Sequence, residues 1–315
     1  MLKRSLLRTW EADAARAGRE FVQPVELGTD EMRHVHPQWF KLLRQEDHTA
    51  AFYTTRDCRQ WVDESVPYVT TPHPDDPGKG GSKPVLFDVQ LNDPKRGRSL
   101  LEQFQQAEYP LRVAYAGDPV ALSQLNALDR YAQMQAELGG GRFAANPENS
   151  DPGILATAEM IDRNRLAPTE IYRSIGTVEN PRHELVYRSS PEEQGPGRPS
   201  PTAAVLRRQW ELPWSREPTA TFADRARGLM RRLEPRWYPE LAKAVRSAQP
   251  YAHQGVDLRP LLKDLDRARP RAEATRRAEP HRLTPVRCPV GQKNRDTGAW
   301  CCREVTRCRV TMSAR

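Results

Sequence analysis

The chain has 315 residues, 36.0 kDa, with 37% hydrophobic residues, 28 prolines and a mean hydropathy of −0.79; that is too little apolar material for one core drawn from the whole chain. No apolar run approaches the ~18 residues that a bilayer span needs, so the composition excludes an integral helical membrane protein, as it does collagen-like repeats and a disulfide-dense miniprotein. Lys and Arg number 49 against 41 Asp and Glu, a net charge of +8, but residues 201–315 hold 25 basic and 12 acidic residues while residues 1–200 hold 24 and 29.

The chain opens Met-Leu-Lys-Arg-Ser-Leu-Leu-Arg-Thr-Trp, with Lys3, Arg4 and Arg8 and no acid in the first ten residues. Leu2, Leu6 and Trp10 recur every fourth position, which predicts an amphipathic helix over about 3–19. An arginine-bearing, acid-free start of this kind has the composition of a mitochondrial transit peptide, so residues 1–20 are read as a presequence-like helix. A second helix is expected from Pro37 through Arg44 and a third over Thr55–Glu64, followed by a Pro- and Gly-rich loop at 66–83. Residues 84–91, Pro-Val-Leu-Phe-Asp-Val-Gln-Leu, form the best strand candidate. Asp93-Pro94 signals a helix start, with the helix running to about Tyr109. Asp118-Pro119 opens a further helix that carries Leu122, Leu125, Leu128, Met134 and Leu138 at helical spacing and stops at Gly139-Gly140-Gly141. Another helix is expected from Ser150-Asp151-Pro152 to about Arg165, and a short one from Thr169 to Ser174. Residues 21–188 are thus read as a mainly helical body and 189–201 as a linker. Residues 202–281 follow as a basic helical extension, with pieces near 202–210, 221–233, 239–248 and 256–278. Residues 282–315 form a Cys-containing tail with a β-hairpin around Asn294-Arg295-Asp296-Thr297-Gly298. The expected fold class is mainly α, a small helical body with a long irregular, proline-rich basic extension and a C-terminal hairpin.

No motif nominates a catalytic set, and the chain is read as a non-enzyme. Gly78-Lys79-Gly80-Gly81-Ser82-Lys83 has the composition of a phosphate loop but the wrong order, because a true loop is G-x-x-x-x-G-K-[ST] after a strand and before a helix. Asp296-Thr297-Gly298 spells the aspartic-protease tripeptide, but there is no second copy and a turn explains it. His34-Val35-His36 offers two imidazoles on one strand face, yet Pro37 interrupts the segment and surface positions are expected. Cys288, Cys301, Cys302 and Cys308 crowd the tail without a C-x₂₋₄-C knuckle; reduced thiols are expected, with zinc ligation by these cysteines, completed by His281 or another chain, and a disulfide as the alternatives. No cofactor is otherwise implied.

The basic half is almost all arginine, and guanidinium groups pair with phosphate and stack on bases. Arg207, Arg208, Arg225, Arg227, Arg231, Arg232, Arg267, Arg269, Arg271, Arg276 and Arg277 are therefore the expected RNA-binding residues. Trp210, Trp214, Trp237, Tyr238 and Tyr251 stand among them, either to stack on bases or to anchor in pockets of neighbouring proteins. With the transit-like start and the arginine-rich, proline-punctuated second half, the chain resembles a mitochondrial ribosomal protein of the enlarged protist, kinetoplastid-like type. Pro37-Gln38-Trp39-Phe40, and the later Tyr131-Ala132-Gln133-Met134, resemble the small-subunit family numbered twenty-three. That resemblance implies a structural constituent of a mitochondrial ribosome in the matrix, bound to rRNA and neighbouring ribosomal proteins. The alternatives are a soluble accessory subunit of a respiratory or ATP-synthase complex, a bacterial or phage nucleic-acid-binding protein, and an enzyme with an unrecognised site, such as a zinc-dependent one using the C-terminal cysteines.

Overall fold

A computed structural model describes residues 2–45, 47–71, 83–138, 151–175 and 182–268. The described residues fall in the compact unit Met1–Glu273. The expected hairpin and the four tail cysteines lie outside them, as do the Gly78–Lys79 segment and the glycines at 139–141.

Helix α1 (Leu2–Arg16) seats Leu6 in the interior. Strand β1 (Val25–Gly28) pairs in parallel with β2 (Val85–Asp88), from Val25 opposite Val85 to Gly28 opposite Asp88. Between them run α2 (Thr29–Val35), α3 (Trp39–Gln45) and α4 (Asp47–Thr70). Helix α5 (Pro94–Gln106) starts where its sequence says it should. The Asp93 side chain accepts hydrogen bonds from the backbone N–H groups of Lys95 and Arg96, and Pro94, with no N–H to satisfy, takes the first position. Strand β3 (Val113–Ala116), α6 (Val120–Leu138), α7 (Asp151–Asn164) and β4 (Thr169–Ser174) follow; β3 and β4 are parallel, and β5 (His183–Arg188) returns antiparallel to β4. The chain ends its described course in α8 (Pro201–Glu211), α9 (Arg216–Arg232), α10 (Tyr238–Ala248) and α11 (Arg259–Ala268).

The molecule is mainly helical, as expected, but two elements differ from expectation. Thr169–Ser174 is a strand, not a short helix. Its first four residues are all buried, so no alternation marks it: Glu170 is 1% exposed and takes hydrogen bonds from Arg188 Nε (2.9 Å) and the Tyr172 hydroxyl (2.7 Å). The third helix is one long element, α4, that continues through Pro67 into the segment expected as a loop. Residues 189–201 hold buried Ser189 and Gln194.

Apolar packing divides into layers. Leu27, Val66, Val69 and Phe104 cover β1 and β2. Ile161, Ile171 and Leu206 join α7, β4 and α8. The largest cluster combines Leu125, Leu128 and Tyr131 of α6 with Phe222 and Leu229 of α9, Leu241 and Val245 of α10, and Leu261 and Leu265 of α11. Each such side chain contributes about 1.5–3 kcal/mol through burial, which is why helices cut from an arginine-rich stretch still assemble. A buried carboxylate, Asp162, ties α7 to the chain leading into α8. It accepts from Gln194 Nε2 (2.9 Å), Ser200 Oγ (2.5 Å), Thr202 N (3.0 Å) and Thr202 Oγ1 (2.9 Å).

Candidate functional site

Parallel strands present their ligand sites beyond their carboxyl ends. Because β1 and β2 run in register, Gly28 and Asp88 emerge side by side, and α2 starts directly after Gly28 with Asp30 and Glu31 in its first turn. Carboxylates are favoured there, near the positive end of the helix dipole. Gly28 is needed for closeness. A Cβ on it would stand 2.7 Å from the Asp88 carbonyl oxygen and collide with Glu31 Oε2, so only a bare α-carbon lets the two acidic residues approach.

Lys3 of α1 reaches into this cluster. Its ammonium lies 2.7 Å from Glu26 Oε2 and 2.5 Å from Glu31 Oε1. Partial burial works against the Lys3 charge, but the hydrogen bonds to Glu26 and Glu31 prevail and raise its proton affinity. Glu31 Oε2, on the far side of the same carboxylate, is buried with no hydrogen-bond partner among the described residues. Asp88 keeps an open face to solvent. Even so, enough protein surrounds its carboxyl for desolvation to push its pKa above the usual carboxylate range, and the charges of Glu31 and Asp30 push the same way against Lys3. A reachable carboxylate with raised proton affinity suits a general base toward a hydroxyl. Among the described residues, no group of three His, Cys, Asp or Glu is arranged to hold a metal ion.

Behind the acids stands a rigid support. Arg33, 4% exposed, pairs with Asp30, donates to Thr55 Oγ1 (2.9 Å) and lies over the Trp39 ring. His36 is buried, not at the surface as expected. The Gln38 N–H donates to its Nδ1 (3.1 Å), which places the proton of the neutral ring on Nε2, facing Asp57 Oδ2 at 3.4 Å. The ring also packs on Trp61. This turn therefore fastens α2 and α3 to α4 and fixes where Asp30 and Glu31 sit.

Of the seven described arginines expected to bind RNA, five face an acid. Arg225 and Arg232 converge on buried Asp129, at 2.6 and 2.7 Å, and Arg225 also donates to Asn126 Oδ1. Arg227 pairs with Asp224, Arg207 with Glu159 on α7, and Arg267 lies 3.8 Å from Asp264. Arg208 and Arg231 are exposed on α8 and α9. Arg269, Arg271, Arg276 and Arg277 lie outside the described residues. Trp237 packs against Tyr131, and Trp214 against Phe222. From the sequence, Lys3 reads only as part of a targeting helix, and Asp30, Glu31 and Asp88 receive no site role. The available signals were Gly28 directly after the alternating Val25-Glu26-Leu27 and an acid, Asp88, within the best strand candidate.

Comparison with known proteins overturns the ribosomal reading. No curated protein matches the sequence. A solved chain from a study of the PezAT chromosomal toxin–antitoxin system of the human pathogen Streptococcus pneumoniae superposes with a TM-score of 0.53 at 16% identity, over 72% of this chain and 82% of that one, and so shares its fold. Neither that fold nor the family match below supports a mitochondrial ribosomal protein. The matrix location, the rRNA and ribosomal-protein partners and the absence of catalysis fall with it, and the respiratory-subunit and nucleic-acid-binding alternatives gain no support. The family model that the sequence does match, over residues 12–167, is that of the zeta toxin, and this stretch holds β1, β2, Asp30, Glu31 and Asp88.

Proposed function

We propose that the chain is a toxin-type enzyme with kinase-like chemistry, in which Asp88, flanked by Asp30 and Glu31, takes the proton from a phosphoryl-accepting hydroxyl. The observation that carries this reading is that the zeta toxin match spans the whole acidic cluster at the ends of β1 and β2. Phosphoryl transfer asks little covalent chemistry of a protein; it needs positioning, electrostatics and a carboxylate to receive the hydroxyl proton. The open face and raised proton affinity of Asp88 suit that last role. Lys3 and Arg33 hold the neighbouring acids in place.

The residues present do not fit a phosphate loop. The 315 residues contain no G-x-x-x-x-G-K-[ST], so no step is routed through a nucleotide's phosphates. The toxin–antitoxin setting of the structural neighbour supports an antitoxin as the protein partner.

Induced expression of the chain in a bacterial host should slow growth. Asp88→Asn and Asp30→Asn, each shown to be folded by circular dichroism, should relieve it. Unimpeded growth with the unaltered chain, or equal arrest by folded Asp88→Asn, would refute the proposal.

A further inference from the structure

Helix α4 turns Thr54, Cys58, Val62 and Val66 into the protein, at the four-residue steps of one helical face. Its opposite face is open to solvent from Phe52 to Tyr68. Phe52 is 80% exposed, Tyr53 55% and Tyr68 66%, and the Phe52 and Tyr53 rings meet edge to face with centroids 5.8 Å apart. A single exposed apolar side chain is ordinary, but aromatic rings at both ends of one helical face have the composition of a protein contact. The charges on this face are sorted by sign. Arg56 and Arg59 lie in its first half, and neither pairs with an acid among the described residues. Asp63 and Glu64 lie in its second half. Arg96 holds Asp63 at 2.7 Å, whereas Glu64 accepts from the Gln60 amide (2.8 Å) and meets no cation among the described residues. Arg56 and Glu64 are about 12 Å apart along the axis, too far to pair within the helix.

We infer that two copies of this chain pair along the exposed faces of α4, antiparallel and centred on Gln60. A cationic half followed by an acidic half is the complement of itself reversed, whereas a uniformly acidic or basic partner would match one half and be repelled by the other. With Gln60 on the two-fold axis, Arg56 of each copy falls opposite Glu64 of the other, Tyr53 opposite Pro67 and Phe52 opposite Tyr68, and the axis makes each contact twice. Each end of the contact thus brings aromatic surface onto aromatic and proline surface, and each uncommitted charge gains an opposite one. From Phe52 to Tyr68 the face is about 24 Å long and one helix wide. A contact of that size falls below the roughly 1,200 Å² of a stable interface, so the pairing is reversible and micromolar, not obligate.

This pairing does not rest on the function proposed above. Sedimentation velocity of the full chain, with a thiol reductant present and loading raised from about 1 to about 200 µM, should show a monomer–dimer equilibrium. The dimer should weaken as salt rises from about 0.05 to about 0.5 M, because the paired charges are exposed and screened. Arg56→Glu and Glu64→Arg each set like charges opposite one another and should weaken it at least about tenfold. The double variant Arg56→Glu/Glu64→Arg restores opposite signs at both contacts and should return to within about threefold of the unaltered chain. These side chains are exposed, so the fold should hold, and circular dichroism checks that it does. A chain still monomeric at about 200 µM, which would leave this face to a different protein, would overturn the inference. So would a dimer that Arg56→Glu leaves unchanged, or a folded double variant as weak as the single ones.

Discussion

Asp162 offers the sharpest test of how the body holds together. The Thr202 N–H and the Ser200 hydroxyl donate to it, and Gln194 and the Thr202 hydroxyl add two more bonds. Asp162→Ala removes all four at once. The Gln194 amide has fallback acceptors in the Ala167 carbonyl (3.2 Å) and Ser189 Oγ (3.3 Å), and the Thr202 hydroxyl lies 2.6 Å from Thr169 Oγ1. The Thr202 N–H and the Ser200 hydroxyl have no such substitute shown. Two orphaned donors at about 1–3 kcal/mol each, plus the weakened pair, give an expected loss of about 3–5 kcal/mol. For a chain of this size that is a fall in Tm of roughly 5–8 °C. Asp162→Asn keeps one oxygen but turns an amide N–H₂ toward donors, and should cost about half as much. Urea melts followed by circular dichroism measure both. If Asp162→Ala lost less than about 1 kcal/mol, the idea that this carboxylate organises the passage from α7 to α8 would be wrong.

Two further outcomes follow from the charges. Folding raises the pKa of Asp88, so the folded state binds its proton more tightly; the resulting stabilisation is present at acid pH and lost as pH rises through the raised value. Asp88→Asn should therefore gain stability relative to the unaltered chain between about pH 4 and pH 7, near and above the usual carboxylate pKa, and a pH-independent difference in urea midpoints would contradict the assignment. Arg225→Gln strips buried Asp129 of its better-covered partner and should cost about 2–3 kcal/mol, whereas Arg232→Gln, at a more exposed guanidinium, should cost less than about 1 kcal/mol; the reverse order in chemical denaturation would refute the ranking.

Helices with local signals were legible in the sequence. Asp93-Pro94 starts α5 because capping is decided within a few residues; α6 begins at Val120, just past Asp118-Pro119, although the Asp118 carboxylate accepts from Ser174 instead. The strand candidate at 84–91 contains β2. The other strands were not seen: β1 and β3 are only four residues long, β5 has no buried residue, and β4, buried at four consecutive positions, carries no period-two pattern. β3 reads Val-Ala-Tyr-Ala, and β4 buries Thr169 and Glu170 in succession. The candidate site escaped for a related reason. Lys3, Glu31 and Asp88 belong to α1, α2 and β2, and only the parallel pairing of β1 with β2 makes them neighbours. The arginines misled because composition records charge but not partners. Arg225 and Arg232 lie about a hundred residues from Asp129, beyond any local spacing rule.

The pairing of those arginines changes how the protein meets its surroundings. Residues 269–315 hold 12 Lys and Arg against 4 Asp and Glu, which is the whole net charge of +8; residues 1–268 carry 37 of each sign. With Arg225, Arg227 and Arg232 each facing an aspartate, residues 1–268 have no net monopole, and the fields of such close pairs are screened over about a Debye length, roughly 8 Å in physiological salt. The pI of 9.4 is thus set by the last 47 residues. Long-range attraction to polyanions, retention on a cation exchanger and its decay with added salt are expected to report on those residues, while the folded helices and strands are recognised through shape and short-range contact.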